Sequence, residues 1–435
     1  MVHPENVAND NYNTKIGIVG LGFVGLPLAL LFAEKGFKVT GIDVDNNKIE
    51  QLNNGISYLP DIPDSYLQRA VFLGNLVGTT DYDMIKALDV VIVCVPTPLT
   101  TYKNPDLSYL QLVGKELAPR IKNGQLIILE SSTYPGTTEE VFQPMLENSG
   151  LKVGKDFFIG YSPERIDPGN KKYKVDEIPK IVSGITDQCL SKISTLYKKV
   201  FKKIVPVSSS RVAEFTKLLE NSYRFINISF INEMAMLCDE MEINLWEAVA
   251  AANTKPYGFT PFYPGPGAGG HCIPVDPLYL VWKSNHYGID SKMIRLSDEI
   301  NDQISNYIVK NITNFLSEKE EKKVLVYGVT YKKDIDDVRE SPAIKIISQL
   351  HLNGIGVSYH DPYVSKIKVG NKSYSSVNLT KTVLSETNCV LILTDHSEIP
   401  LENILEHAEL VYDVRNVTNG LSGKAKIIRL GGGGQ

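Results

Sequence analysis

Cysteine is scarce in this chain. Five are present in 435 residues, at Cys94, Cys189, Cys238, Cys272 and Cys389, with no CxxC pair. An odd, dispersed set argues against a disulfide framework and against a zinc site, so no metal is expected. Long apolar runs are also missing: none reaches the ~18 residues that a membrane span needs. The segment 1–14 is polar, acidic and rich in asparagine, without the apolar core of a signal peptide. It reads as a floppy tail, and the chain as cytoplasmic. Charge of one sign is lacking too, since 45 basic against 50 acidic residues leave a net charge of −5. Pairs such as Lys198-Lys199 and Lys322-Lys323 stand alone, which leaves no footprint for nucleic acid or a membrane surface. No short-period repeat is present.

What is present is an alternating rhythm. Short apolar runs at 15–19, 38–42, 89–95, 125–129 and 157–161 are strand candidates, and 23–35 carries a helical pattern, which together predict parallel βαβ units. Gly, Pro and Thr cluster just after each strand, where open α/β sheets place their ligand loops. The texture changes at Ser208-Ser209-Ser210, a capping cluster. Beyond it, 211–240 reads as one long helix without Pro or Gly, followed by helical segments at 245–253 and 294–316. A loop dense in Pro and Gly, 255–270, interrupts them. After a charged linker at 317–323 the rhythm resumes, with strands at 324–327, 356–359, 390–393 and 410–414 and a helix at 341–352.

Gly20-Leu21-Gly22-Phe23-Val24-Gly25 follows the first strand and opens the first helix. Its glycines serve a tight turn, close approach of backbone to a pyrophosphate, and helix–strand packing, while the helix N-terminus offers N–H groups to phosphate. Asp43 ends the second strand, where its carboxylate can accept from a ribose diol and repel a 2′-phosphate. That favours NAD over NADP. The expected fold is α/β: two Rossmann-like parallel-sheet domains joined by a long central helix. The domains are set at 15–208 (NAD-binding), 209–316 (central and helical) and 317–435 (a second α/β domain without the glycine pattern).

The loop from Pro264 to Asp276 is the most informative segment. Gly265, Gly267, Gly269 and Gly270 leave little bulk around Cys272, so a substrate carbon can reach its sulfur, and His271 and Asp276 are titratable neighbours. Free cysteine is more often buried and inert, but a loop this rich in glycine makes a poor core. On the long helix, Lys217, Asn221 and Arg224 share one face by their spacing. Spacing alone would equally describe a solvated polar stripe.

These motifs, in this order, resemble the UDP-glucose/GDP-mannose dehydrogenase family, and within it the UDP-N-acetylglucosamine 6-dehydrogenases of bacteria. The resemblance spans about 15–430 and rests on several independent signatures. They are the glycine loop, Val95-Pro96-Thr97-Pro98, Glu130-Ser131-Ser132-Thr133-Tyr134-Pro135-Gly136, Ser162-Pro163-Glu164-Arg165, Phe215-Thr216-Lys217-Leu218-Leu219-Glu220-Asn221, the cysteine loop, and Arg339-Glu340-Ser341-Pro342.

The resemblance implies oxidation of a nucleotide-activated sugar at C6, twice over to the carboxylate, with Cys272 as the nucleophile of a thiohemiacetal and thioester. It implies that Lys217 stabilises an alkoxide or oxyanion and shuttles a proton, that Asn221 adds a hydrogen bond, and that Asp276 holds a water or the lysine. Thr133 and Glu164 would lie beside the sugar and the hydrolytic water. Arg165, Arg224, Lys255, Tyr263, Gly269, Tyr331 and Lys332 would bind the nucleotide sugar. Phe23, Val24, Pro96, Thr97, Ser131 and Arg339 would join the glycine loop, Asp43 and Thr133 at NAD. The family further implies a homodimer, with the 255–263 stretch contributed across its interface, and products that feed capsule, O-antigen or other surface glycans.

Two positions separate branches of the family. Many UDP-glucose enzymes carry Lys where Val275 stands, and N-acetylmannosamine enzymes usually carry His and Arg near Lys255 and Tyr257. The pattern here points to a UDP-activated N-acetylated sugar, N-acetylglucosamine before its galactosamine epimer. A nucleotide-sugar epimerase or dehydratase would need a catalytic YxxxK. Tyr82 to Lys86 and Tyr279 to Lys283 have that spacing, but neither follows the fingerprint of such enzymes. A non-catalytic NAD-binding regulator would have no use for the cysteine loop.

Overall fold

The computed structural model describes residues 13–59, 61–165 and 172–433. Most of the expected 1–14 tail therefore lies outside the described residues. The chain packs as two compact units, 1–220 and 221–435, and the division falls inside the helix Ser210–Glu240.

The first unit is built on eight strands: β1 (Lys15–Val19), β2 (Lys38–Ile42), β3 (Leu76–Thr79), β4 (Val90–Val93), β5 (Leu126–Leu129), β6 (Phe158–Tyr161), β7 (Lys180–Gly184) and β8 (Ile204–Pro206). Their order is β3-β2-β1-β4-β5-β6-β7-β8. β1 and β4, not neighbours in sequence, lie side by side, and the chain runs outward from them in both directions. The loops after these two strands therefore open into the crevice where doubly wound sheets bind ligands. Burial on both faces explains why β4 and β5 read Val-Val-Ile-Val and Leu-Ile-Ile-Leu. Alternation sorts their side chains. Val90, Ile92, Leu126 and Ile128 join one core, while Val91, Val93, Ile127 and Leu129 join the other.

The sheet is not wholly parallel, because β7 runs antiparallel to β6 through Gly160↔Gly184 and Tyr161↔Ser183. Eighteen residues lie between Tyr161 and Lys180, and among the described ones no α-helix crosses over, which an antiparallel neighbour permits.

The second unit carries β9 (Lys323–Tyr327), β10 (Gly356–His360), β11 (Lys366–Val369), β12 (Lys372–Ser375), β13 (Cys389–Ile392), β14 (Leu410–Asp413) and β15 (Lys426–Arg429). Five of them form a sheet of order β10-β9-β13-β14-β15, parallel throughout. β11 and β12 form a separate antiparallel hairpin. The same alternation recurs, with Val324, Val326 and Leu391 on one face and Leu325, Tyr327 and Ile392 on the other. Both sheets agree with the expected α/β class.

The long helix begins where the serine cluster predicts, with Ser209 Oγ accepting from the Val212 amide at 3.3 Å. Among the described residues, no helix is long and apolar enough to cross a membrane.

Candidate active site

The glycine loop meets the demands of a pyrophosphate cradle. Gly20 has φ +89°, and a Cβ there would lie 2.7 Å from the Cys94 carbonyl oxygen. A Cβ on Gly25 would lie 1.8 Å from the Gly20 oxygen, whereas one on Gly22 would meet nothing within 4 Å. The space in front of Gly22 is open for a ligand and the other two positions admit only glycine. No side chain caps the helix Gly25–Glu34, so the positive end of its dipole meets no carboxylate or hydroxyl of its own, although the Leu26 amide already donates to the Gly22 carbonyl at 3.1 Å. Asp43 is buried, and its carboxylate braces the loop by accepting from the Leu21 amide at 2.8 Å and the Asp45 amide at 3.0 Å. Lys48 lies 3.6 Å away. Each carboxylate oxygen has a further lone pair for a ribose hydroxyl, so these residues fit NAD. Phe23 and Val24 pack partly against the core beneath the loop.

Beyond β4 and β5, two expected cofactor contacts also staple backbone. The Thr97 hydroxyl donates to the Ser132 carbonyl at 2.6 Å, and the Ser131 hydroxyl to the Val95 carbonyl at 2.7 Å. Pro96 between them is exposed.

Two further expected residues of this unit, Thr133 and Glu164, lie within buried polar networks, and a third, Arg165, is half-buried. Thr133 is fully buried and donates to Glu214 Oε1 at 3.4 Å. Glu214 also accepts from the Gly136 amide at 2.6 Å and from the amide and hydroxyl of Thr138 at 2.8 and 2.6 Å. Burial pushes the Glu214 carboxyl up to about 7 against the pull of these donors, and Glu139 adds to the rise. Glu164, just after β6, lies 3.8 Å from the ammonium of Lys180. That ammonium also pairs with Glu130 at 2.6 Å, and the Tyr197 hydroxyl donates to the other oxygen of Glu130. Glu130 and Lys180 are both buried. Burial raises the Glu130 carboxyl despite Lys180, while burial opposes the Lys180 charge and the carboxylates more than offset it. Arg165 turns its donors to Glu220 (2.6 and 3.2 Å) and the Pro179 carbonyl (2.8 Å), clasping its loop to the long helix.

Lys217 is only 7% exposed. Among the described residues its ammonium makes no hydrogen bond or ion pair, which is uncommon for a buried cation and marks a group kept for something else.

One turn further along the helix, in the second unit, the Asn221 amide donates to Asp276 Oδ2 at 2.6 Å, and both side chains are buried. Asp276 opens the helix Asp276–Asn285, where a carboxylate suits the dipole. Its amide donates to the Cys272 carbonyl at 2.9 Å. Cys272 is partly exposed, whereas Cys94, Cys189 and Cys389 are buried.

The glycines before Cys272 do more than clear space. A Cβ on Gly269 or Gly270 would lie 2.7 Å from the Tyr331 side chain, and the Gly270 amide donates to the Arg339 carbonyl at 3.2 Å. The cysteine loop thus lies directly on the Tyr331–Arg339 segment. Asp337 grips the Arg339 guanidinium with contacts of 2.6 to 3.0 Å. Burial opposes that charge, and Asp337, Tyr331 and Cys272 more than offset it. Burial, with Arg339 close by, pushes His271 down, so it stands neutral at neutral pH.

The loop of Tyr331 and Lys332 is pinned from the other side. The Thr330 hydroxyl donates to the Lys332 carbonyl at 2.8 Å, and the Asp334 amide donates to His396 Nδ1 at 3.0 Å. Asp361 at the end of β10 accepts from the Val329 amide at 2.8 Å and lies 3.2 Å from His396 Nε2. It stands where Asp43 stands in the first unit.

Arg224 and Lys255 are exposed, and Tyr263 is half exposed on the face of Trp246, 5.8 Å between ring centroids. The structure does not gather these three around Cys272 within the unit.

Glu214, Lys180 and Glu130 went unnoticed as parts of the site. Glu214 had a legible signal, an acid three residues before Lys217 on the same helical face. Glu130 and Lys180 are 50 residues apart, and nothing in the spacing marks them as a pair.

The NAD binding domain of the UDP-glucose/GDP-mannose dehydrogenase family matches residues 14–202, its central domain 211–303, and its UDP binding domain 325–420. The chain is 35% identical to Protein CapL of Staphylococcus aureus over 419 residues, covering 94% of this chain and 97% of that one. It is 37% identical to UDP-N-acetyl-D-glucosamine 6-dehydrogenase of Pseudomonas aeruginosa over 357 residues, 81% of this chain and 83% of that one. The solved UDP-D-ManNAc dehydrogenase of Pyrococcus horikoshii superposes with a TM-score of 0.88 at 31% identity, covering 97% of this chain and all of that one.

Proposed function

The chain belongs to the UDP-glucose/GDP-mannose dehydrogenase family, and from that premise we propose that it oxidises a UDP-N-acetylhexosamine, UDP-N-acetylglucosamine first, at C6 to the uronic acid. As a family member it is an NAD-dependent oxidoreductase of nucleotide sugars. The observation that carries the cysteine mechanism is a partly exposed Cys272 on a glycine loop, one turn from the Asn221–Asp276 pair.

The reaction divides into two oxidations, the addition of a thiolate between them, and a final hydrolysis. The C6 alcohol loses two electrons and two protons to become the aldehyde, with the Lys217 ammonium facing the developing alkoxide. An aldehyde cannot be oxidised again until a nucleophile adds, so the Cys272 thiolate bonds to C6 and the carbonyl oxygen takes a proton, giving a thiohemiacetal. The thiohemiacetal then loses two more electrons and two more protons, as a hydride from C6 and the hydroxyl proton, and leaves a thioester. Water then adds to C6, the C–S bond breaks, and the thiolate and the carboxylate separate. NAD, when bound, supplies the hydride acceptor for both oxidations. Glu164 and Asp276, both buried carboxylates, serve as the groups that orient or deprotonate that water. Thr133 and Asn221 add hydrogen bonds, and Lys332 meets the diphosphate.

UDP-N-acetylmannosamine is the second reading, favoured by the fold match to the Pyrococcus enzyme named for that sugar. A homodimer belongs to the same proposal. Phe215, Leu219, Tyr223 and Phe230 form an exposed apolar stripe on the long helix, which a second copy would cover, with Arg224, Lys255 and Tyr263 completing its partner's sugar site. The uronic acid would feed a surface polysaccharide.

The deciding experiment counts NADH per sugar consumed for UDP-N-acetylglucosamine, UDP-N-acetylgalactosamine, UDP-N-acetylmannosamine and UDP-glucose. Two NADH from the first, and none with Cys272→Ala, supports the reading. Two from another sugar corrects the substrate, and none from any of the four sinks it.

A further inference from the structure

Glu214 takes no part in the chemistry above, yet its carboxylate is the most heavily bonded in the first unit. It sits on the second turn of the long helix, fully buried. A carboxylate withdrawn from water is costly unless its lone pairs are filled. Here one short loop fills them: Gly136 on Oε2, and Thr138, by amide and hydroxyl, with Thr133 on Oε1. The loop is built to do so. Gly136 has φ +100°, and a Cβ there would lie 2.6 Å from Glu140 Oε1, so only glycine can aim that amide at Glu214. One turn earlier, Arg211 grips Glu139 at 2.7 Å and Glu140 at 3.0 Å. The helix is therefore clamped twice onto the segment 133–140, once at its rim and once in the interior.

Residues three apart on a helix share a face. Whatever fixes Glu214 thus fixes the root of Lys217, and the other end of the tie is Thr133 itself.

We propose that Glu214 is a positioning residue for the oxidation: its carboxylate holds the first turns of the long helix, and the Lys217 ammonium with them, in register with the Thr133 loop. The inference rests on the reading that Lys217 and Thr133 serve the reaction. A tie of this kind matters because misplacing a reacting group by ~1 Å costs roughly a hundredfold in rate.

The test is Glu214→Gln, which keeps the volume but offers one acceptor oxygen in place of two. The expected result is a fall in kcat for NADH formation of roughly 10- to 100-fold, with the KM for the nucleotide sugar and the NAD affinity by calorimetry within about threefold of wild type. The double variant Lys217→Met/Glu214→Gln should be no slower than Lys217→Met alone, because Glu214 acts through that lysine. Wild-type kcat in folded Glu214→Gln, or losses that multiply in the double variant, would overturn the inference. Should Glu214→Gln fail to fold, Thr138→Val decides, since it removes one donor and leaves the carboxylate. A fall in kcat of about threefold or more at unchanged NAD affinity supports the tie, and an unchanged kcat refutes it. Full activity in both Lys217→Met and Cys272→Ala would instead sink the reading of the site. Loss in those two beside wild-type Glu214→Gln sinks the positioning role alone.

Discussion

Asn221 donates its side-chain amide to Asp276 Oδ2 at 2.6 Å, and both groups are buried. The contact joins the long helix to the first turn of the helix that follows the cysteine loop. Through the 2.9 Å bond from the Asp276 amide to the Cys272 carbonyl it reaches the backbone of the cysteine loop. Asn221→Ala removes a donor from a buried carboxylate and should cost about 1–3 kcal/mol of stability. Urea unfolding of the second unit measures it, and an unchanged midpoint would mean that water replaces the amide.

The thiols should react in a fixed order. Burial pushes the Cys94 thiol well above its ordinary value and the Cys389 thiol up to about 12, while Cys272 alone sits on an accessible glycine loop. Brief treatment with iodoacetamide at near-neutral pH should alkylate Cys272 first and abolish NADH formation. Peptide mapping that finds Cys94 or Cys389 modified ahead of it would contradict this.

Asp43 should set both cofactor affinity and cofactor choice. Asp43→Asn weakens the brace on the Leu21 amide and removes the charge that repels a 2′-phosphate. NAD binding should weaken by about 1.5–3 kcal/mol, roughly 10- to 100-fold, and the preference over NADP should shrink. Calorimetry with both dinucleotides gives the two numbers.

The raised Glu214 carboxyl makes stability fall with pH. Its folded value is about 7 against an ordinary 4.5, so the folded chain keeps a proton that the unfolded chain has already lost. This contribution is fully present below about pH 4.5 and is lost as pH rises through 7, a change of ~3 kcal/mol. Wild type minus Glu214→Gln, compared by urea unfolding at the two ends of that window, isolates it. A difference that does not vary with pH would refute the shift.

Breaking the buried Lys180–Glu130 pair should hurt more than removing it whole. Lys180→Met leaves Glu130 and Glu164 facing each other without the ammonium that lies 2.6 and 3.8 Å from them. The expected cost is about 3–5 kcal/mol, partly recovered in Lys180→Met/Glu130→Gln. Thermal unfolding of the three proteins tests the order.

Much of this was legible along the chain. Strands buried on both faces write themselves as short runs rich in apolar and β-branched residues, which is why β1, β2, β9 and β14 were readable to within a residue. The glycine loop, Asp43 and Cys272 were readable because each depends on a local property: positive φ, strand-end position, lack of bulk. The elements missed are those whose signal is weak or not local. The helices Asn46–Asn53 and Asp187–Tyr197 are polar on one side and short, though Asp45 and Thr186 cap them. The hairpin of β11 and β12 turns through Gly370 at φ +57°, a cue present in the sequence and overlooked.

The sequence by itself determined the alternation of apolar runs and helical stripes, and with it two parallel-sheet units, the glycine loop at Gly20–Gly25 and a cysteine on a loop too rich in glycine to bury it. Those follow from backbone sterics and the period of hydrophobicity, which act over a few residues. Only the tertiary structure decided that β7 runs against β6, that Arg165 spends its donors on Glu220, that Lys180 is shared by two carboxylates, and that Glu214 ties Thr133 to the helix of Lys217. The strand direction and the Arg165 pair are set by which segments the fold brings side by side, and the Lys180 and Glu214 contacts by burial, because a charge taken out of water must find its partner in space, however far apart the two lie in the chain.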